Sequence, residues 1–288
     1  MGLKKKLESG EFAVLAEMEP PKGTDISLLL ENAEKIREHV DAIVVSEMNN
    51  AVMRMSALAG AMLLQQKGLE SILQICTRDR NRLALQADLL GAGAAGVSTV
   101  IITSGDDPAL GDHHQALAVN DITSAQLAEL IGTLQQGQDM AGAELTGSPS
   151  FGIAATVRIL PEGEAQEKEL MHMDQMIKSG SEFLITQPLF DPEIPAPYLE
   201  KAAAGNVRIF PTVLLLKSLG MARYMERNVK HIFISKDLIK RIQKSKDKEG
   251  ECTRIAGDLL GLFRQKGMGG VVLNAAGWEH KIPEIITG

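Results

Sequence analysis

Residues 12–22, FAVLAEMEPPK, decide how the fold begins. The run opens with apolar residues over a length typical of a β-strand, and Glu17 and Glu19 follow just before Pro20-Pro21. Proline cannot donate a hydrogen bond to a sheet, so the strand is expected to end there. In parallel α/β folds, ligands lie at the carboxyl ends of strands, so a carboxylate here is a candidate for chemistry. The alternative is that both glutamates are ordinary charges at the edge of a loop.

Strand and helix patterns alternate about eight times along the chain. This alternation predicts a (β/α)8 barrel that forms a single domain over residues 1–288. A doubly wound open sheet is the competing fold, but no G-x-G-x-x-G motif follows the first strand. After the first strand, the predicted strands are Ala42–Ser46, Ser71–Ile75, Thr99–Thr103, Phe151–Val157, Phe183–Thr186, Arg208–Leu214 and Gly270–Asn274. The longest predicted helical stretch runs from about Lys236 to Lys266.

Composition excludes several classes of protein. The 288 residues are 44% hydrophobic and carry a formal net charge of −7, which does not favour a general nucleic-acid surface. No apolar run has the length of a membrane span, and no apolar core follows the lysines near the amino end, so we expect a cytoplasmic protein. Basic residues cluster only in the stretch 236–248, KDLIKRIQKSKDK. We interpret that stretch as the solvated face of a helix or as a docking patch for an acidic partner.

In a barrel of this kind the carboxyl ends of all eight strands point to one mouth. Carboxylates and carboxamides dominate the polar residues predicted there, and such groups can hold a heterocycle that carries both N–H donors and carbonyl acceptors. A carboxyl partly desolvated by apolar walls can also donate a proton near neutral pH. No histidine sits at a strand end, so no metal site is predicted. The predicted residues are Glu17, Glu19, Ser46, Glu47, Gln74 to Thr77, Ser104 to Asp107, Thr156 and Gln187.

Several polar residues also have a purely structural interpretation. Asp106 follows a glycine in a tight turn, and Gln187 precedes a proline, as turn residues often do. The segment 78–80, RDR, is expected to form a solvated ion-pair cluster at a helix start, with anion binding as the alternative. The pair His113-His114 is expected to be solvated in a loop, unless that loop covers the mouth.

Five short motifs lie at predicted strand ends between residues 17 and 191. They are Glu17-Met18-Glu19-Pro20-Pro21, Asn50-Ala51-Val52-Met53-Arg54-Met55-Ser56, Thr77-Arg78-Asp79-Arg80-Asn81, Gly105-Asp106 followed by Pro108, and Thr186-Gln187-Pro188-Leu189-Phe190-Asp191. Taken in this order, they resemble the motifs of the methylenetetrahydrofolate reductase family, whose members are flavin-containing (β/α)8 barrels. The family pattern for the first motif is a glutamate, two usually aromatic residues and two prolines.

The resemblance implies roles for individual residues. Glu17 would be the acid that protonates N5 of the folate as the methylene bridge opens, and reduced FAD would supply the hydride. Asp106, the second catalytic residue, would bind the pterin and lie against the flavin. Gln187 would hydrogen-bond the pterin ring, and Leu219 would contact the substrate. The cofactor-binding residues that the resemblance implies are Ser46, Gln74, Thr77, Gly105, Asp106 and Glu169.

The chain departs from the family pattern mainly on the flavin side. Where the family carries an Arg-Lys pair that grips the flavin phosphates, this chain has Gln175 and Met176. Gln74 replaces a frequent histidine, and Leu219 replaces a phenylalanine that packs on the substrate. Losing two charge-assisted contacts worth about 1.5–3 kcal/mol each would weaken flavin binding unless other cations compensate. The candidate cations are Arg78, Arg80 and Lys178.

Three hypotheses follow from this comparison. The first is a methylenetetrahydrofolate reductase that uses FAD and takes electrons from NADH, NADPH or a redox protein. The second, motivated by the missing phosphate clamp, is a flavin-free, folate-binding methyltransferase that exchanges a methyl group with a corrinoid-carrying protein. The third is a degenerate barrel that binds neither ligand tightly and docks a redox or corrinoid protein. We expect a homo-oligomer or a hetero-complex.

Overall fold

The computed structural model describes residues 2–288, and its centre is a closed barrel of eight parallel strands. The strands are β1 (Ala13–Met18), β2 (Ala42–Val45), β3 (Ser71–Cys76), β4 (Thr99–Thr103), β5 (Gly152–Val157), β6 (Phe183–Pro188), β7 (Arg208–Leu214) and β8 (Gly270–Asn274). Each strand pairs with its neighbours in chain order, and β1 pairs with β8 to close the barrel. The predicted (β/α)8 fold is therefore confirmed.

Helices surround the barrel, and none of those formed by residues 2–288 is long and apolar enough to cross a lipid bilayer. Two short 3-10 helices, Pro108–Leu110 and Glu279–Lys281, follow β4 and β8. The α-helices are α1 (Leu3–Ser9), α2 (Ser27–Ile36), α3 (Ala57–Gln66), α4 (Arg82–Ala94), α5 (Ser124–Gln135), α6 (Glu164–Lys178), α7 (Ala196–Ala204), α8 (Leu219–Asn228), α9 (Lys236–Lys244), α10 (Lys248–Gln265) and α11 (Ile282–Thr287).

Polar side chains determine where six of these helices begin. Each cap residue accepts a hydrogen bond from a backbone N–H of the first turn, which would otherwise lack a partner. In α5 the cap is a reciprocal capping box, in which Gln126 also accepts from the backbone N–H of Thr123. The six capping residues are Ser56, Asn81, Thr123, Ser218, Ser235 and Asp247.

Two helical segments differ from the sequence prediction. Helix α1 was not predicted, and it lies under the barrel with Leu3 buried. The single helical stretch predicted from Lys236 to Lys266 is two helices, because Ser245 adopts an extended conformation and Asp247 starts α10 by accepting from the Gly250 N–H at 2.9 Å. The basic stretch 236–248 therefore spans α9 and the break after it.

Apolar side chains fill the amino-terminal half of the barrel interior. The Phe183 and Phe210 rings contact each other there, with centroids 4.8 Å apart, and Leu3 of α1 joins the same cluster from below. Burying each of the large side chains contributes about 1.5–3 kcal/mol to stability. The interior cluster is Leu3, Ala13, Leu15, Ala42, Val44, Ile72, Ile101, Ala154, Phe183, Ile185, Phe210 and Val272.

Candidate active site at the carboxyl end of the barrel

A layer of polar residues lies directly above the apolar interior. Because side chains alternate along a strand, the residue two positions after a buried interior residue also faces inward. Leu15 is thus followed by Glu17, and Val272 by Asn274. We call this set the polar layer, and it consists of Glu17, Ser46, Gln74, Thr103, Thr156, Gln187, Thr212 and Asn274. All of these residues except Ser46 line a cavity of about 290 Å³, the central cavity.

Glu17 is the buried acid of this layer. Its Oε1 accepts a hydrogen bond from Ser46 Oγ at 2.6 Å, and its Oε2 accepts one from Asn274 Nδ2 at 3.0 Å. Burial raises the pKa of Glu17, and the bonds from Ser46 and Asn274 oppose that rise without cancelling it. Glu19, by contrast, does not line the central cavity. Its Oε2 forms an ion pair with Arg54 Nη2, and the two atoms are 2.7 Å apart. The two glutamates of the first motif therefore have different environments.

Sequence reasoning missed three members of the polar layer, Thr103, Thr212 and Asn274. Each stands two positions after a buried interior residue, so the same alternation that points Glu17 inward would have found them. Asn274 is the most informative omission because it binds Glu17 directly. Its Oδ1 also accepts from the backbone N–H of Ala276 at 2.9 Å, which fixes the orientation of the amide.

Asp106 lies at the rim of the central cavity, held by its backbone. Its N–H donates to the carbonyl of Asn49 at 2.8 Å, and its own carbonyl accepts from Arg78 Nη1 at 2.9 Å. Gly105 precedes it with φ at +68°, and a Cβ there would lie 2.8 Å from Arg78 Nη1. The side chain of Asp106 is exposed and lines the cavity, so its carboxylate is available to a ligand.

The prediction of a solvated ion-pair cluster at residues 78–80 is wrong. Arg78 is only 4% exposed, and its guanidinium bonds the Asp79 carboxylate as well as the carbonyls of Asp106 and Met48. Arg78 thereby ties together the loops after β2, β3 and β4, which sequence spacing does not reveal. Arg80 is half-buried, and its guanidinium pairs with the carboxylates of Glu47 and Asp88.

Glu47 and Arg80 form a buried pair behind the cavity wall. Arg80 Nη1 lies 2.8 Å from Glu47 Oε1, while Glu47 Oε2 accepts from the Ala57 N–H at 2.7 Å. Arg80 also contacts Asp88 at 2.8 Å. Glu47, predicted to lie at the mouth, does not line the central cavity, and its role is to anchor the start of α3.

Gln187 lines the central cavity, but its amide already has partners. Oε1 accepts from the Ile159 N–H at 2.9 Å, and Nε2 donates to the Ile159 carbonyl at 2.8 Å and to the His231 carbonyl at 3.4 Å. A register shift in β6 between Ile185 and Pro188 accompanies this arrangement, and the strand continues past its predicted end at Thr186. The predicted contact between Gln187 and a pterin stays a prediction.

Gln74 and Asn49 form a second amide arrangement on the wall made by β2 and β3. Asn49 Nδ2 donates to Gln74 Oε1 at 2.7 Å, and the Glu47 N–H donates to the same oxygen at 3.0 Å. Both side chains line the central cavity. Asn49 belongs to none of the five motifs. Its contact with Gln74 depends on the conformation of the loop after β2, which the sequence does not predict.

Other predicted residues lie outside the central cavity. Ser46 does not line the cavity but donates a hydrogen bond to Glu17. Thr77 is buried and does not line the cavity either. Leu219, the first residue of α8, packs against the hydrophobic core that surrounds the barrel. His113 and His114 are exposed, as predicted for a solvated loop.

A second cavity of about 430 Å³, the side cavity, adjoins the central one. The two cavities share Ser104, Thr156 and Arg158 as lining residues. Glu169 lines the side cavity, and its Oε1 accepts from the Arg158 N–H at 2.9 Å. The remaining lining residues are Thr123, Ser124 and Ala125 at the amino end of α5 and His172 and Gln175 on α6.

The two positions of the family's phosphate clamp have different surroundings. Gln175 lines the side cavity, whereas Met176 is fully buried in the core. The cations considered as replacements line neither cavity: Arg78 and Arg80 are paired as described, and Lys178 is exposed and paired with Asp174 at 2.6 Å. Arg158, which sequence reasoning did not consider, is the arginine that reaches both cavities.

Comparison with known proteins assigns the chain to a family. The profile of the methylenetetrahydrofolate reductase family matches residues 2–268. The chain belongs to this family. Membership supports a methylenetetrahydrofolate reductase-like function, that of an oxidoreductase acting on folate. The match covers β1 to β7 and ends before β8, and so includes most of the polar layer and Asp106 of this methylenetetrahydrofolate reductase family member.

Similarity to one solved structure supports the fold and, at 12% identity, nothing beyond the fold. EDTA monooxygenase from Chelativorans sp. BNC1 superposes with a TM-score of 0.57 at 12% sequence identity, covering 95% of this chain and 93% of that chain. 2,3-Dimethylmalate lyase, a PEP mutase/isocitrate lyase superfamily member, gives a TM-score of 0.49 at 10% identity, covering 94% and 76% of the two chains. No curated protein matches the chain.

Proposed function

We propose that this chain converts 5,10-methylenetetrahydrofolate to 5-methyltetrahydrofolate, with Glu17 as the proton donor and reduced FAD as the source of hydride. The observation that carries the proposal is the buried Glu17 carboxyl at the cavity floor, bonded to Ser46 and Asn274. Family membership supplies the reaction class, and the buried carboxyl supplies the acid that the reaction needs.

Glu17 suits the proton transfer because its pKa is raised by burial. The methylene bridge of the substrate joins two nitrogens, and the nitrogen released when the bridge opens requires a proton. A carboxyl with a raised pKa keeps its proton closer to neutral pH than an exposed one does. After the transfer Glu17 is ionised, and the hydrogen bonds from Ser46 and Asn274 stabilise its negative charge.

The residues that line the two adjoining cavities could hold a flavin, with the central cavity accepting its ring and the side cavity its diphosphate. Arg158 lines both cavities and offers a cation, while the amino end of α5 offers backbone N–H groups and a favourable helix dipole. His172 and Gln175 add polar side chains from α6. When bound, a reduced flavin would supply the hydride, and the residues of the two cavities would hold it in a fixed orientation.

The substrate side of the central cavity has Asp106 at its rim. Its exposed carboxylate is an acceptor for the N–H groups of a pterin. The backbone of Asp106 is held in place, because its N–H donates to the Asn49 carbonyl and its carbonyl accepts from the Arg78 guanidinium. In the proposed complex Asp106 binds the pterin while Glu17 lies deeper in the barrel. Gln187 lines the cavity between them and contacts the ring only if its bonds to Ile159 rearrange.

The first test is the visible absorption spectrum of the purified protein during titration with FAD. We expect flavin bands that dithionite bleaches and methylenetetrahydrofolate restores. Glu17→Gln should then bind folate but reduce it at least about 100-fold more slowly, the usual contribution of a general acid. A Glu17→Gln variant with wild-type turnover would remove Glu17 from the mechanism.

In this proposal the electron donor is NADH, NADPH or a redox protein. The enzyme is cytoplasmic, and it forms a homo-oligomer or part of a hetero-complex. Stopped-flow measurement of flavin bleaching with each donor ranks the three. The donor that bleaches the flavin fastest at equal concentration is the expected physiological class.

One observation favours a second candidate function. Met176 is fully buried, so one position of the family's phosphate clamp cannot face a cofactor. A flavin-free methyltransferase would keep the folate site and exchange the methyl group with a corrinoid protein, with Glu17 protonating the nitrogen as the methyl leaves. Binding of methyltetrahydrofolate without any binding of FAD, together with methyl transfer to cobalamin, would support this candidate over the reductase.

A further inference from the structure

The amide groups of Asn49 and Gln74 each present one polar atom that the protein does not use. Asn49 Oδ1 is buried and accepts no hydrogen bond from any residue that the structure describes. Gln74 Nε2 likewise has no acceptor within hydrogen-bond distance among residues 2–288, since the bonds of Gln74 all go to its Oε1. Both side chains line the central cavity. An unused acceptor in a buried place requires an explanation, and a ligand in the central cavity that bonds both unused atoms is the simplest one.

The orientation of the two amides follows from a backbone group. The Glu47 N–H can only donate, so the atom of Gln74 that it contacts at 3.0 Å is the oxygen. Because Asn49 bonds the same oxygen at 2.7 Å, the bonding atom of Asn49 is its nitrogen. The unused atoms are therefore a donor, Gln74 Nε2, and an acceptor, Asn49 Oδ1.

The carboxamide on the β6 side of the cavity does not offer such a pair. Gln187 uses its oxygen and its nitrogen on the backbone of Ile159, at 2.9 and 2.8 Å. A ligand would have to break these bonds before it could use that amide. A ligand could bond the unused atoms of Asn49 and Gln74 without breaking any hydrogen bond within the protein. This pair is therefore the better recognition element.

We infer that the Asn49–Gln74 pair is a binding subsite for the cyclic amide edge, –C(=O)–NH–, of a bound heterocycle. The ring carbonyl accepts from Gln74 Nε2, and the ring N–H donates to Asn49 Oδ1. This inference rests on the proposed function and adds to it the contact that recognises a ring. Flavin and pterin both carry such an edge, so the experiment separates the two sources.

The test measures the affinity of the full chain for FAD and, separately, for 5-methyltetrahydrofolate by isothermal titration calorimetry. Asn49→Leu keeps the approximate size of the side chain but removes the acceptor, and we expect one of the two affinities to fall about tenfold. A fall for FAD assigns the subsite to the flavin, and a fall for 5-methyltetrahydrofolate assigns it to the pterin. Unchanged affinity for both ligands overturns the inference.

Asn50→Leu is the matched control, because Asn50 is exposed in the same loop and its side chain accepts only from the Val52 N–H. Its affinities should equal those of the wild type, and a loss as large as that of Asn49→Leu would overturn the inference by showing a general effect of the loop. Thermal unfolding of Asn50→Leu should match that of the wild type. Asn49→Leu also loses the bond to Gln74, so it should melt at a somewhat lower temperature but remain folded at the temperature of the titration.

Gln74→Glu tests the donor independently. The glutamate still offers an oxygen to the Glu47 N–H and to Asn49 Nδ2, but it lacks the donor of Nε2. We expect the same ligand to lose affinity as with Asn49→Leu, and a loss confined to the other ligand would overturn the inference. For a flavin subsite, 3-methyl-FAD, which lacks the ring N–H, should bind the wild type about tenfold more weakly than FAD does but bind Asn49→Leu no more weakly.

These outcomes are distinguishable from failure of the proposed function. If Asn49→Leu loses affinity for one heterocycle but the wild type shows no reductase turnover with any donor, the subsite stands and the proposed reaction falls. If the wild type is an active reductase but Asn49→Leu binds both ligands normally, the reaction stands and the subsite falls.

Discussion

Asn274, the last residue of β8, donates from Nδ2 to Oε2 of Glu17 at 3.0 Å, and the two residues are register partners where the barrel closes. The bond therefore joins the first strand to the last across the seam. It also restrains the carboxyl that we assign as the proton donor, while Ser46 restrains its other oxygen. Asn274 is in this sense a positioning residue for Glu17.

Asn274→Ala should lower kcat about fivefold to tenfold, the equivalent of one hydrogen bond. The bond from Asn274 lowers the pKa of Glu17, so its loss should raise that pKa further and move the alkaline limb of the kcat profile to higher pH. Ser46→Ala should move the limb in the same direction. A reduced kcat with an unmoved pH profile would indicate a merely structural role.

Glu17→Gln should change how stability depends on pH. The folded pKa of Glu17 is raised, so its contribution to stability is fully present below the ordinary carboxyl pKa of about 4.3 and is lost as pH rises through the folded value. Above neutral pH the variant should therefore melt at a higher temperature than the wild type, and the gap should close as pH falls. A constant gap at all pH values would contradict the raised pKa.

Gly105→Ala should destabilise the fold by about 1–3 kcal/mol, because the residue has a left-handed backbone conformation and a Cβ would press on Arg78. Urea unfolding measures the loss. Gly132→Ala in α5 is the control: no atom lies within 4 Å of the added Cβ, so helix propensity should stabilise that variant by about 0.5–1 kcal/mol. Equal effects of the two substitutions would argue against a special requirement at residue 105.

Arg158→Gln should weaken FAD binding about 10-fold to 100-fold, as expected for one charge-assisted contact. The loss should shrink at high salt, because salt screens the attraction between the guanidinium and a diphosphate. Lys178→Gln is the control, since Lys178 is exposed and paired with Asp174. If Lys178→Gln lowers FAD affinity as much as Arg158→Gln does, the side cavity is not the diphosphate site.

The sequence predicted the barrel and the position of Glu17 at its mouth, because both follow from local strand and helix patterns, but the direction of the side chain was not predicted. Ala13 and Leu15 alternate with outward residues, so the phase of β1 determines where the next side chain points. Asn274 obeys the same rule at the end of β8, two positions after the interior residue Val272, although it was not among the predicted residues. Local pattern thus contains most of the polar layer.

Contacts between loops could not be predicted in this way. The sequence predicts that Arg78 is a solvated cation. It is buried because carbonyls of Met48 and Asp106, from two other loops, accept hydrogen bonds from its guanidinium. The bonds of Gln187 to Ile159 require both a register shift in β6 and the course of the segment after β5. Such features arise from the packing of loops that carry no periodicity.

The seam between β1 and β8 also has a consequence for biosynthesis. Glu17 leaves the ribosome among the first residues, whereas Asn274 is made 257 residues later. The bond between these two side chains can therefore form only after the last strand has been synthesised, so the proposed proton donor gains its contact with Asn274 as the barrel closes.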